Sequence, residues 1–107
     1  MSLLPNTYLC NMTTLDIIKE TLVQLKPEMQ QRYAVHSIGL FGSIVRDDFS
    51  SDSDVDVIVD FSKPIGMEFM DLADFIEEKL GYPVDLVSRQ GIKPKYFHQI
   101  EKEIIYV

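Results

Sequence analysis

Two aspartates at the head of a predicted strand are the residues of this sequence best placed to do chemistry. Asp54 and Asp56 are separated by one residue, where the segment VDVIVDF, residues 55–61, begins. Residues two apart on a strand point to the same face with their Cα atoms ~6.5–7 Å apart, so both carboxylates can be aimed at one point. Carboxylate oxygens suit Mg²⁺, which keeps several waters and takes other ligands from substrate phosphates. The pair therefore predicts a metal site.

A third aspartate can complete this site. Asp85 lies in a second predicted strand, residues 82–88, with the sequence YPVDLVS. If the two strands are neighbours, Asp85 joins the pair and helps to deprotonate an attacking hydroxyl. Two Mg²⁺ ions ~3.5–4 Å apart can stabilise the attacking and leaving oxygens of an in-line displacement at phosphorus. The alternative is that Asp85 is an edge-strand charge that deters pairing with other chains.

Gly42 and Ser43 form the junction between a predicted strand, residues 34–41, and a short predicted helix, residues 43–48. Without a Cβ atom, glycine lets the backbone approach a ligand closely and tolerates unusual dihedral angles. The first turn of a helix offers backbone N–H groups to a phosphate, and Ser43 adds a hydroxyl donor. The junction therefore predicts a seat for a triphosphate beside the aspartates.

The acidic segment before the strand also has an ordinary structural explanation. Asp and Ser are common in turns because they satisfy backbone groups locally, so SDSD alone, residues 51–54, indicates a turn. Joined to Gly-Ser and a later strand aspartate, it favours a metal and nucleotide site. Asp60 lies ~13 Å along the strand from Asp56 and is predicted to be a solvated or capping group.

The elements that must position these residues follow from the spacing of apolar side chains. Residues 15–25 show one helical stripe, capped by Thr13 or Thr14, and Pro27 is predicted to begin a separate short turn through Arg32. A second helical stripe runs over residues 69–80 and ends at Gly81. Pro94 begins a last short helix toward residue 102, and the final IIYV is a strand or a docked tail. Interleaved helices and strands predict an α/β (α+β) domain.

The composition describes a folded acidic domain. The chain has 107 residues, 46% of them apolar, and 10 basic against 17 acidic side chains give a net charge of −7. This length suits one domain, predicted at 13–107 after an irregular lead-in at 1–12. No apolar run approaches the ~20 residues of a membrane span, and so acidic a chain is not expected to bind nucleic acid directly. With Cys10 as the single cysteine and no secretory signal, we expect a cytoplasmic protein.

The spacing of these motifs resembles that of a known family. Gly-Ser, ten residues and Asp-x-Asp follow one another in GLFGSIVRDDFSSDSDVDVIVDF, residues 39–61, and PVDLV and EIIYV come later. This pattern is similar to the GS-x10-DxD motif of the DNA polymerase β-like nucleotidyltransferase superfamily, and the wider match over residues 14–107 to its minimal nucleotidyltransferase (MNT) family. The resemblance implies the minimal nucleotidyltransferase fold, a short mixed β-sheet flanked by helices.

The resemblance also implies roles for individual residues. By position, Asp54 and Asp56 match the metal ligands of the family, and Asp85 matches its third carboxylate. The residues implied in nucleotide binding are Gly42, Ser43, Arg46 and Ser53. Arg46 falls on the usual arginine of GSxxR, although Asp47 stands where a glycine often follows.

Relatives of this kind typically pair with a HEPN-domain toxin, and they move AMP from ATP to a tyrosine hydroxyl of that toxin. The resemblance therefore implies a Mg²⁺-dependent nucleotidyltransferase that serves as an antitoxin, with ATP as substrate and two Mg²⁺ ions. A non-catalytic antitoxin that neutralises its partner by binding is the alternative. A small-molecule nucleotidyltransferase is a third possibility, but such relatives usually bring a second domain to hold the acceptor.

Overall fold

The computed structural model of the chain describes residues 13–46, 48–50 and 52–107. The elements in chain order are α1 (Thr14–Tyr33), β1 (Val35–Phe41), α2 (Ser43–Arg46), β2 (Val55–Phe61), α3 (Glu68–Leu80), β3 (Val84–Ser88), α4 (Pro94–Ile100) and β4 (Ile105–Tyr106). The predicted lead-in at 1–12, with Cys10, lies outside the described residues, as does Asp47. In the described part, each helix is too short or too polar to cross a bilayer.

The four strands form one mixed sheet in the order β3-β2-β1-β4. β1 runs antiparallel to β2 and β4, whereas β2 and β3 are parallel. Parallel neighbours need a crossover connection, and α3 supplies it between β2 and β3. The predicted α/β fold with a short mixed sheet flanked by helices is confirmed.

Both faces of β2 are buried. Val55, Val57 and Val59 face the main core, which α1 and α3 cover with Ile18, Leu22, Met29, Leu72 and Ile76. On the opposite face, Ile58 packs with Phe41 and Ile100 beneath α4. Because side chains alternate along a strand, Asp56 shares its face with Ile58. The aspartate is therefore on the α4 side of the sheet, at the edge of a small apolar cluster.

The prediction that Pro27 begins a separate turn is wrong, because α1 continues unbroken from Thr14 to Tyr33. Proline removes the N–H that would bond to the carbonyl four residues earlier. That carbonyl belongs to Val23, whose residue is 51% exposed, so water can replace the lost partner. The buried residues Leu22 and Met29 on either side hold the helix against the sheet.

The ends of the two long helices agree with their sequence signals. Thr13 and Asp16 form a capping box, in which the Asp16 N–H donates to the Thr13 hydroxyl over 3.1 Å and the Thr13 N–H donates to the Asp16 carboxylate over 3.2 Å. Gly81 ends α3 with φ of 76°, in the left-handed region, as predicted. The C-terminal IIYV does form a strand, since Ile105 and Tyr106 pair with Leu40 and Gly39 of β1.

Gly39 generates a prediction about how closely β4 packs. A Cβ atom at this position would lie 2.6 Å from Ile104 Cγ2 and 3.2 Å from Tyr106 Cδ1. We expect Gly39→Ala to lower the free energy of unfolding by about 1–3 kcal/mol through overpacking, as measured by urea denaturation. Gly66→Ala is the control, because its Cβ would meet only Glu68 Oε1, at 3.9 Å. Equal losses in the two variants would contradict this packing.

Candidate active site

The junction after β1 is built around a glycine in the left-handed region. Gly42 has φ of 80°, a conformation that residues with a Cβ atom rarely adopt. Its carbonyl accepts hydrogen bonds from the N–H groups of Val45 and Arg46, at 3.0 and 3.1 Å. Ser43 is therefore the first residue of α2 and lies directly after the sharp turn, as the sequence predicted.

The Gly42 backbone lies against the carboxylate of Asp56. A Cβ atom on Gly42 would be 2.0 Å from Asp56 Oδ2 and 3.0 Å from its Cγ. The pairing of β1 with β2 explains this contact, because Phe41, the residue before the glycine, is the partner of Asp56. The absence of a side chain at Gly42 is therefore what leaves room for the carboxylate.

The second strand neighbour brings Asp85 to the same place. β2 and β3 pair in parallel with Asp56 opposite Asp85, so both side chains project from one face of the sheet. Asp54 lies two residues before Asp56, immediately ahead of β2. Asp54 and Asp85 are exposed and Asp56 is half-buried. The glycine-serine junction and the aspartates predicted to lie beside it are thus close together in the structure.

The concentration of negative charge is visible in the pKa of Asp56. The pKa of Asp56 is raised from 3.8 to about 6, first by burial and then by the charges of Asp85 and Asp54. Arg46 opposes the effect, whereas Glu103 adds to it. Three other carboxylates and one guanidinium therefore act on Asp56 at the junction.

This charge distribution fits a divalent cation that is shared with a substrate. Within residues 13–46, 48–50 and 52–107, no three His, Cys, Asp or Glu side chains are arranged as a closed set of metal ligands. An ion held by one or two carboxylates with phosphate oxygens does not need such a set. The mutual repulsion that raises the pKa of Asp56 is also what a bound cation would relieve. The donor set therefore fits Mg²⁺ accompanied by a triphosphate.

Glu103 is a member of the site that the sequence predictions missed. Its Oε2 accepts a hydrogen bond from the Gly42 N–H over 2.9 Å. Both of its carboxylate oxygens lie 3.2 Å from Nη1 of Arg46. The only sequence signal was its place at the start of EIIYV, the run that carries the terminal strand.

Two other residues singled out in the sequence make contacts of their own. Ser53, predicted to bind nucleotide, donates its N–H to the Ser50 carbonyl over 3.0 Å, and its hydroxyl accepts from the Ser50 N–H over 3.1 Å. These bonds stabilise the turn that leads into Asp54. Asp60 accepts a hydrogen bond from the Gln90 side-chain amide, well along the strand from the other aspartates.

The contact between Gly42 and Asp56 generates a prediction about stability. Gly81→Ala is a matched control, because Gly81 also has a positive φ and a Cβ there would have nothing within 4 Å. We expect the control to lose about 1 kcal/mol from backbone strain alone. Gly42→Ala should lose a further ~1–3 kcal/mol from the clash with Asp56. Urea denaturation measures both.

Removing the carboxylate should remove most of that excess. In the background of Asp56→Ala, we expect most of the excess loss of Gly42→Ala over Gly81→Ala to disappear, since only the Asp56 Cβ contact at 3.3 Å remains. An undiminished excess in the double variant would show that the clash is with something other than the Asp56 carboxylate.

The raised pKa of Asp56 generates a prediction about pH. The folded state binds the Asp56 proton more tightly than the unfolded state, so the protonated carboxyl group stabilises the fold. The free energy of unfolding therefore falls as the pH rises from about 4 through 6. In EDTA, the difference between the melting temperatures of Asp56→Asn and wild type should grow in favour of the variant over this pH range. Above it, the variant should stay the more stable of the two. Asp74→Asn removes one exposed charge on the other face of the sheet and should follow the wild-type profile. Parallel profiles for Asp56→Asn and wild type would contradict the prediction.

Comparison with known proteins agrees with this geometry. Residues 22–107 match the family described as nucleotidyltransferase domain. Among curated relatives, the protein adenylyltransferase MntA of Thermococcus cleftensis is 39% identical over 97 residues, which cover 90% of this chain and 98% of the relative.

Solved structures show the same fold. A structure described as a candidate minimal nucleotidyltransferase superposes with a TM-score of 0.71 at 27% identity, over 89% of this chain and 96% of its own. A chain of the complex between a tri-AMPylated Shewanella oneidensis HEPN toxin and its MNT antitoxin superposes with a TM-score of 0.65 at 18% identity, over 86% and 70%. The resemblance found in the sequence is confirmed. This chain belongs to the nucleotidyltransferase domain family, as one of its minimal nucleotidyltransferases.

Proposed function

We propose that the protein is a Mg²⁺-dependent adenylyltransferase that moves AMP from ATP to a tyrosine hydroxyl of a HEPN-type toxin and thereby acts as its antitoxin. The observation that carries the proposal is the contact between Gly42 and the Asp56 carboxylate, with Asp85 paired to Asp56 across the sheet. A phosphate seat and the carboxylates for a cation therefore meet at one point. The adenylyltransferase name of the Thermococcus relative and the AMPylated toxin of the Shewanella complex support the nucleotide and the acceptor.

The residues divide the work of this transfer. Gly42 and Ser43 hold the β- and γ-phosphates, while Asp54 and Asp56 hold Mg²⁺, which Asp85 helps to bind. When bound, Mg²⁺ neutralises phosphate charge and stabilises the attacking and leaving oxygens. Most of the rate comes from this positioning and charge neutralisation, as in phosphoryl transfer generally.

The bonds of the transfer balance as a single displacement at the α-phosphorus. The tyrosine oxygen forms a bond to that phosphorus, and the bond from the phosphorus to the oxygen bridging to the β-phosphate breaks. Pyrophosphate leaves with the bonding electron pair. The carboxylate of Asp85, exposed on β3, accepts the hydroxyl proton.

Arg46 and Ser53 are proposed to assist in nucleotide binding. Arg46 is 54% exposed in its side chain at the end of α2 and donates to a phosphate oxygen. Ser53 keeps its predicted place beside the nucleotide, with its hydroxyl also holding the turn before Asp54. The cytoplasm, where ATP and a reduced Cys10 are expected, remains the predicted location.

Neutralisation by occlusion is the competing function, and one observation favours it. The described residues do not preassemble a closed set of metal ligands. A protein that only covers its partner would need no more order than this at the site.

Labelling the partner with ATP separates the two functions. The protein is incubated with ATP labelled at the α-phosphate, Mg²⁺ and the toxin partner, and transfer of label to the toxin is expected. The double variant of Asp54→Asn with Asp56→Asn should transfer label at least about a hundredfold more slowly while still forming the complex. The control double variant, Glu20→Gln with Glu78→Gln, removes two charges from exposed positions of α1 and α3 and should label normally.

The toxin's effect on cells completes the test. If the aspartate double variant forms the complex and still protects cells as well as wild type, occlusion is the function. If the variant loses both labelling of the toxin and protection of the cells, catalysis is the function. Absence of label with the wild-type protein and its bound partner would contradict the proposed transfer.

A further inference from the structure

The turn before the C-terminal strand β4 brings a carboxylate to the glycine turn from a distant part of the sequence. Glu103 is 61 residues from Gly42 in sequence, yet its Oε2 accepts the Gly42 N–H over 2.9 Å. The same carboxylate holds Nη1 of Arg46, with both N–O distances 3.2 Å. One side chain therefore joins the backbone of the glycine turn to the arginine one helical turn later.

Backbone hydrogen bonds hold the chain at Glu103 and after it, so the position of this side chain is fixed by the fold. The N–H of Glu103 donates to the Ile100 carbonyl over 2.9 Å at the end of α4. After it, Ile105 and Tyr106 pair with β1, and the Val107 N–H donates to the Ile38 carbonyl over 3.0 Å. The Glu103 side chain is only 24% exposed. Its carboxylate thus has little freedom to leave the junction.

The Arg46 side chain is the group that the Glu103 carboxylate orders most. It ends a helix of only four residues, and its side chain is 54% exposed. A long exposed arginine loses much rotamer entropy when it is ordered by a ligand, whereas one already held in place loses less. Binding through Nη1 also fixes the plane of the guanidinium, whose other donors form a rigid fork suited to phosphate.

Charge repulsion argues that the contact is not incidental. Glu103 adds a negative charge near the carboxylate of Asp56. A carboxylate in that position is opposed by its neighbours and is retained by its bonds to the Gly42 N–H and to Arg46. Those two bonds are therefore what stabilises the Glu103 carboxylate at this position.

We infer that Glu103 is a positioning residue of the nucleotide site, which orders the guanidinium of Arg46 to receive a phosphate and holds the glycine turn through the Gly42 N–H. The inference rests on the proposed function, since it assigns Arg46 to a phosphate. It also gives the C-terminal strand β4 a part in nucleotide binding, although β4 contributes no side chain of the GS-x10-DxD motif.

A double-mutant cycle between Glu103 and Arg46 tests the inference. The variants are Glu103→Gln, Arg46→Gln and both together, and the measurement is the dissociation constant of ATP with Mg²⁺ by calorimetry. We expect Glu103→Gln to weaken binding about five- to tenfold, and to have almost no further effect once Arg46 is changed. The Gln side chain is nearly isosteric and can still accept the Gly42 N–H, so the fold should be retained, as melting temperatures will check.

Two controls separate positioning from general effects of charge or stability. Glu101→Gln removes a charge two residues away, from a side chain that pairs with exposed His98, and should leave ATP binding unchanged. Glu103→Asp keeps the charge but shortens the side chain, and should bind ATP no better than Glu103→Gln.

The possible results divide cleanly. Tighter ATP binding by Glu103→Gln would overturn the inference, because it would show that the carboxylate competes with phosphate. Additive losses in the cycle would overturn it too, since Glu103 would then act independently of Arg46. If the wild-type protein binds no ATP with Mg²⁺, the proposed function fails and this inference fails with it; binding by wild type with an additive cycle overturns the inference alone.

Discussion

The site depends on one close approach, that of the Gly42 backbone to the carboxylate of Asp56. The contact is possible because glycine lacks the Cβ atom that would otherwise stand 2.0 Å from Oδ2. It is imposed by the pairing of β1 with β2, which places Phe41 opposite Asp56. The central strand pair of the sheet thus determines how far the glycine turn lies from the aspartates, and both strands are held in register by a core on each face.

Burial and charge are in tension at this point. Asp56 shares a face with the apolar cluster of Ile58, Phe41 and Ile100, and burial is the largest cause of its raised pKa. The neighbouring carboxylates add to the same effect. The fold is therefore less stable when Asp56 is ionised, and a cation bound with phosphate ligands would relieve the repulsion among the carboxylates.

Local sequence signals were sufficient to predict most of the helices and strands and to place Gly42, Asp54, Asp56 and Asp85 on them or at their ends. Alternating valines predicted β2, and Gly81 predicted the end of α3, because the information lies within a few residues. The prediction at Pro27 was wrong because a helix can continue through a proline when the carbonyl that loses its N–H partner is open to water. Whether that carbonyl is open to water depends on tertiary packing. Glu103 could not be assigned for the same reason: its partner is 61 residues away and is selected by the pairing of β4.

The order of the strands has a consequence for access. β2, with Asp56, is an inner strand, whereas β3, with the exposed Asp85, is at the rim of the sheet. The exposed carboxylate at the rim can thus be reached from the edge of the sheet, whereas the inner one lies against the glycine turn. A bulky molecule that approaches this edge would therefore meet Asp85 without displacing the turn.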